Sequence, residues 1–273
     1  MEYQQETLPT DKVFTVSASG VALRCRRFGG KGAPILMIHG ACVDSEFFAK
    51  TARVLAEWHR VILYDRRGYG QSTGTENLDC SAAIQAEDAA AVLRTAGEPC
   101  HVVAHSAGTV IAMELAVRHP ELVRSLLLHE PVATGYAPAE GEYRRTLDEI
   151  NRLIAQGRYT RALTQFMPFI GQRDLRAAEP TPAEQKYAGR NARSFIRGEF
   201  SAFFAYPPDT ERLSKLPVTI GVGELSQGTA RWDMAVGLAH ELNASLLYFP
   251  GAHNCARDFP REFAYLTAGT LNN

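Results

Sequence analysis

Clustered cysteines are missing from these 273 residues. The five present (Cys25, Cys42, Cys80, Cys100 and Cys255) are odd in number, widely spaced and form no C-x-x-C pair. Zinc sites and disulfide frameworks need clustered ligands, so all five read as free thiols in a reducing, cytoplasmic compartment. Charge of one sign is missing too: 29 Lys and Arg face 30 Asp and Glu, a formal net charge of -1. That balance leaves no broad electrostatic footprint for nucleic acid or an anionic membrane. The longest apolar runs, such as Ser125–His129 with its neighbours, fall far short of the roughly 18 residues that span a bilayer. The opening stretch MEYQQETLPTDK is polar and lacks the basic-then-apolar pattern of a secretion signal. There is no internal repeat, no low-complexity stretch, no phosphate loop and no metal-ligand cluster, so neither a metal nor an organic cofactor is expected. What remains, 45% hydrophobic and 22% charged, is the composition of an ordinary globular protein.

Two alternating segments, Lys12–Ser17 and Val21–Phe28, flank a Ser19-Gly20 turn and predict an opening antiparallel hairpin. The pattern then changes to short apolar runs: Pro34–Ile38, Val61–Tyr64, His101–Ala104, Ser125–His129, Val218–Val222 and Ser245–Phe249. These read as strands buried on both faces. Helical segments lie between them, near Ser45–Glu57, Ser81–Ala96, Ala107–Arg118, Arg231–Glu241 and Arg261–Thr270. Strand–helix alternation of this kind predicts a mostly parallel α/β sheet with helices on both faces. Residues 135–210 break the rhythm, with no good strand and a rise in charge and aromatics that includes Tyr136, Tyr143, Phe166, Phe169, Phe195 and Phe200. An insertion of this length is expected to form a helical subdomain laid over one end of the core made by residues 1–134 and 211–273.

The strongest local signal is Ala104-His105-Ser106-Ala107-Gly108, set between a strand and an apolar-periodic helix. A sharp strand-to-helix turn holds its central serine exposed and strained, and needs small neighbours to close. The same turn aims the first N–H groups of the helix, from Ala107 onward, at the space beside the serine hydroxyl, where an oxyanion would sit.

With its neighbours, this motif resembles the α/β-hydrolase superfamily over essentially the whole chain. His39-Gly40-Ala41 follows its strand as the family's oxyanion loop does, and Asp65-Arg66-Arg67-Gly68-Tyr69-Gly70-Gln71-Ser72 is similar to the family's D-x-R-G-x-G-x-S turn. Ser106 matches the nucleophile, although Ala104 stands where G-x-S-x-G has its first glycine, and His253 in Pro250-Gly251-Ala252-His253-Asn254 matches the late catalytic histidine. The resemblance implies an eight-stranded α/β-hydrolase fold with an inserted helical lid, and an oxyanion hole made by the N–H groups of Ala41 and Ala107. It gives His39 and the Asp65–Ser72 turn structural roles, and it leaves His105 turned away from the serine hydroxyl.

The third member departs from the common pattern. Most superfamily members carry the acid as G-x-x-D after the strand equivalent to Val218–Val222, but here Gly223-Glu224-Leu225-Ser226 puts a serine in that place. Serine cannot supply the charge that orients the histidine. Two carboxylates remain: Glu224 in the same loop, and Glu130 at the end of the preceding strand, where some branches of the superfamily carry their acid. Strand ends converge on one crevice, so either can reach the ring; Glu130, held by Pro131, is preferred.

A serine nucleophile implies acyl transfer, whereas aspartate would have implied haloalkane or epoxide opening. The expected reaction is hydrolysis of a small or medium apolar ester or lactone. Amide or carbon–carbon bond hydrolysis, perhydrolysis and a slow-turnover ligand receptor remain alternatives. Cys42, His129, Phe203 and Tyr206 are the expected substrate contacts. The expected partner is a small-molecule substrate, with a homodimer left open.

Overall fold

The computed structural model describes residues 11–74, 79–170 and 180–271. The polar stretch at residues 1–10 and the Phe169 side chain, both used above, lie outside the described part, as do residues 171–179 of the insertion. Strands β1 (Lys12–Ala18) and β2 (Val21–Phe28) form the expected hairpin, with Ser19 and Gly20 at φ 43° and 79° in its tight turn. Then come β3 (Pro34–Ile38), α1 (Ala49–Leu55), β4 (Arg60–Tyr64), α2 (Ala82–Arg94), β5 (Cys100–His105), α3 (Gly108–Arg118) and β6 (Val123–His129). Six helices follow without a strand among the described residues: α4 (Glu142–Ala155), α5 (Tyr159–Ile170), α6 (Pro182–Gln185), α7 (Ala188–Gly198), α8 (Phe200–Phe204) and α9 (Thr210–Leu213). The chain closes through β7 (Val218–Gly223), α10 (Ala230–Glu241), β8 (Ser245–Phe249), α11 (Cys255–Asp258) and α12 (Pro260–Leu271).

The eight strands form one sheet in the order β1-β2-β4-β3-β5-β6-β7-β8, parallel from β4 to β8. Period-two alternation sends Leu36 and Ile38 to a core shared with α2, α3 and α10, and Ile35 and Met37 to a second core shared with α1 and α12. This is the α/β-hydrolase architecture. One strand differs from expectation. Ser245–Phe249 is not buried on both faces: it is the sheet edge, with Ser245 and Tyr248 exposed.

The inserted helices are tied to the core by buried polar groups. Arg66 Nη1 donates to both carboxylate oxygens of Glu199 and to Gln85 Oε1, all at 3.0 Å, while Nη2 donates to the Gly40 carbonyl. Tyr69 and Gln85 donate to the same Glu199 carboxylate at 2.8 and 2.9 Å. Asn191 on α7 donates to Asp44 and accepts from the Gly70 N–H. The Asp65–Ser72 turn is thus a structural hub, as its sequence suggested. Because Arg66 and Glu199 are both fully buried, Glu199→Ala would strand a guanidinium away from water. A loss of about 3–5 kcal/mol is expected, read as a lower urea midpoint.

All five cysteines are free, four of them buried and Cys42 half-buried. Among the described residues no helix is long and apolar enough to cross a membrane.

Candidate active site

Parallel strands end on the same side of the sheet, and their register decides which residues meet there. His105 at the end of β5 pairs with His129 at the end of β6, and His129 pairs with Gly221 on β7. Ser106 and Glu130 are therefore each one step past neighbouring strand ends, at the same level. Both N–H groups still bond across the sheet, Ser106 to the His129 carbonyl at 2.9 Å and Glu130 to the Gly221 carbonyl at 2.8 Å.

Ser106 has φ 52°, the left-handed region that an L side chain enters at a cost. The turn closes because Gly108 lets the start of α3 approach the β3 end. A Cβ there would lie 2.6 Å from the carbonyl oxygens of Ile38 and His39. α2 and α10 are capped by the Ser81 and Thr229 side chains, but α3 has Ala107 at its N-cap and no side-chain cap. Neither the Ala107 nor the Ala41 N–H meets an acceptor among the described residues. Two free donors beside Ser106 are what an oxyanion requires.

The carboxylate at His253 is Glu130. Its Oε2 lies 2.6 Å from Nδ1 of the ring, while Oε1 accepts the Gly223 N–H at 3.1 Å and the Ser226 hydroxyl at 2.5 Å. Arg231 Nε stands 3.2 Å from Oε2. Ser226 is thus a hydrogen-bond donor to the carboxylate at the end of the neighbouring strand β6. Glu224, the other candidate, is exposed and is not brought to the histidine. Burial acts to raise the Glu130 pKa, but the His253 hydrogen bond, with the charges of His253, His129 and Arg231, holds it well below the usual carboxylate range. Burial lowers the His253 pKa and Glu130 partly offsets this, a balance that favours the neutral ring.

Ser106 and His253 line a cavity of about 270 Å³ together with Ala41, Cys42, Val43 and Phe47. Cys42, at φ 61°, is one of the cavity's lining residues, its thiol pushed up to about 12 by burial and by Glu199. Three other expected contacts are not in the site. His129 is fully buried behind it, 3.1 Å from both His105 Nδ1 and Cys255 Sγ. Phe203 faces the core on α8, and Tyr206 donates to Glu114 on α3 at 3.0 Å. The helical register of α8 brings Phe204 to the site instead, one position from the expected ring.

His105 has its Nδ1 3.1 Å from Nδ1 of His129, and among the described residues its ring makes no hydrogen bond to Ser106. Its ring stacks on Phe47, lies 4.5 Å centroid to centroid from His253, and lines the larger cavity. Met167, Asn254 and Arg257 line it as well and were not anticipated. Only the position of Asn254, beside His253 in sequence, could have marked it. Asp44 at the cavity edge has its carboxyl pushed up to about 6 by burial and by Asp65. Among the described residues, no group of three or more His, Cys, Asp or Glu side chains is arranged to hold a metal ion.

Comparison with known proteins agrees with this geometry. The sequence profile of the alpha/beta hydrolase fold matches residues 33–213. The uncharacterized hydrolase YraK of Bacillus subtilis is 25% identical over 243 residues, covering 86% of this chain and 87% of that protein. RutD of Azorhizobium caulinodans, named provisionally as a carbamate hydrolase, is 40% identical over 142 residues, 50% of this chain and 52% of that one. The crystal structure of an alpha/beta hydrolase from Sphaerobacter thermophilus superposes with a TM-score of 0.69 at 26% identity, covering 94% of this chain and 100% of that one. With the sheet order, the strand-end turn and two thirds of its length matching, the chain belongs to the alpha/beta hydrolase family of enzymes.

Proposed function

We propose that the protein is a serine hydrolase that cleaves a small or medium apolar ester or lactone through an acyl-enzyme on Ser106. The observation that carries this reading is a strained strand-end serine sharing its cavity with a histidine whose Nδ1 is held by a buried carboxylate. The His253 ring takes the Ser106 proton as the hydroxyl oxygen attacks the carbonyl carbon. The oxygen that becomes negative rests on the Ala41 and Ala107 N–H groups. Collapse breaks the bond to the leaving oxygen, which receives the proton from His253. Water then attacks the acyl carbon by the same route and frees Ser106. Glu130 keeps the Nδ1 proton in place and stabilises the ring while it is charged. A serine rather than a carboxylate at this position favours acyl transfer over haloalkane or epoxide opening. The provisional name of RutD points to a carbonyl substrate as well, and carbamates belong in the substrate screen.

The test is intact mass after treatment with a fluorophosphonate. One adduct per chain in the wild type and none in Ser106→Ala is expected. An unlabelled wild type, or a labelled variant, would remove the reading.

A further inference from the structure

Ser106 and His253 stand between two cavities of very different size. The larger, about 270 Å³, lies beside the Ala41–Asp44 loop. The smaller, about 30 Å³, is walled by Val132, Phe166, Phe204 and Met234, with Tyr143 and the Glu130–Arg231 pair completing it. The two have no lining residue in common besides Ser106 and His253. A single water needs roughly 10–15 Å³ of such space, so the smaller cavity holds about two or three heavy atoms.

Its walls have little freedom to yield. Phe204 stacks on Phe200 at 4.6 Å and accepts the Thr134 hydroxyl at its carbonyl, at 2.7 Å. Phe166 is buried against Phe195 and Phe200. The Tyr143 hydroxyl is turned onto the Met234 sulfur at 3.6 Å. Glu130 is engaged by His253, Ser226 and Gly223, so the surface offered to a ligand is apolar.

A carbonyl carbon within reach of the Ser106 hydroxyl carries two substituents, and each must go somewhere. We infer that the enzyme acts on open-chain esters in which one flank of the scissile carbonyl is no larger than a methyl or ethyl group, seated among Val132, Phe204 and Met234, while the larger apolar flank fills the other cavity. This rests on the acyl-transfer reading and narrows it. In a lactone the two flanks are joined in one ring, which has to lie wholly in the larger cavity and leaves the smaller one unfilled. Lactones are therefore the poorer class.

Two ester series test this, one lengthening the acyl chain on a fixed alcohol and one lengthening the alcohol on a fixed acetate. In one series only, kcat/KM is expected to fall about tenfold or more for each methylene beyond ethyl. The other series should tolerate a hexyl chain, and δ-lactones should react more slowly than open-chain esters of equal carbon count. Met234→Ala should lift the limit in the restricted series, and Met167→Ala, in the larger cavity, should not. Val132→Ala gives the same readout with a smaller loss of packing should Met234→Ala fail to fold. Equal tolerance in both series, a restriction in both, or a limit that neither Met234→Ala nor Val132→Ala moves would overturn the inference. Fluorophosphonate labelling separates the two levels. A labelled enzyme with equal tolerance loses only the size limit, whereas an unlabelled enzyme without esterase activity loses the acyl-transfer reading and this inference with it.

Discussion

Ser106→Ala should lower kcat by about 10⁴-fold or more on any ester the enzyme turns over, as measured by initial rates at saturating substrate. The loss is large because, in the proposed mechanism, the hydroxyl oxygen is the atom that bonds to substrate. Without it His253 has no proton to take, and only binding and the two N–H donors remain. The fold should survive, since the variant removes one oxygen and leaves the cross-sheet bond from the residue 106 N–H to the His129 carbonyl in place. Alanine keeps the strained φ of 52°, so stability should stay near wild type. Ser106→Gly makes the complementary case. It should be equally inactive but more stable than Ser106→Ala by about 1 kcal/mol, because glycine adopts a left-handed φ without steric cost. An Ala variant with substantial turnover would place the nucleophile elsewhere. A Gly variant no more stable than Ala would show that the elbow stores no strain.

Positive φ explains both what was legible in the sequence and what was not. Of the five non-glycine residues in the left-handed region among the described residues, Cys42, Ser106 and Glu130 lie in loops at strand ends around the site. Only Ser106 announced itself, because its neighbours Ala104, Ala107 and Gly108 are small and a strand–helix pair brackets it. The parallel strands were legible from their continuous apolar runs. The exception is Ser245–Phe249, whose edge position follows from sheet order and leaves no mark on composition. The acid was narrowed to Glu130 or Glu224 only through the family resemblance, in which Ser226 stands at the usual aspartate position and some branches carry the acid where Glu130 lies. Register is what brings Glu130 near: the pairing of His105 with His129 carries it to the level of Ser106. The cavity walls were the least legible part. Phe203 and Phe204 are adjacent on one short helix, and which ring faces the site depends on how α8 packs against Phe166 of α5, a contact no local pattern encodes. The surroundings of the His105 ring were no more legible, since Phe47 and His253 reach it from distant parts of the chain.

Glu130→Gln is the second large effect, and the donors around it fix its outcome. Oε1 of Glu130 faces two hydrogen-bond donors, the Gly223 N–H and the Ser226 hydroxyl. A glutamine in its place must keep its amide oxygen on them, which turns its NH₂ group toward His253 Nδ1. That nitrogen must then accept, and the ring proton moves to the nitrogen that has to receive the Ser106 proton. An imidazole in that tautomer cannot act as the base, so kcat should fall by about 10³- to 10⁴-fold. Glu224→Gln, at an exposed side chain, should leave kcat near wild type. The pH profile supplies an independent sign. Burial lowers the His253 pKa and Glu130 raises it, so with His253 as the base the acid limb of kcat/KM should lie below the ordinary histidine pKa in the wild type. Removing the carboxylate takes away the raising interaction, and the residual activity of Glu130→Gln should lose its acid limb at still lower pH. Equal losses from Glu130→Gln and Glu224→Gln, or an acid limb that moves upward in Glu130→Gln, would return the acid to the loop after β7. A large loss at Glu130 with the limb moving down would fix this carboxylate as the group that sets both the tautomer and the charge of His253.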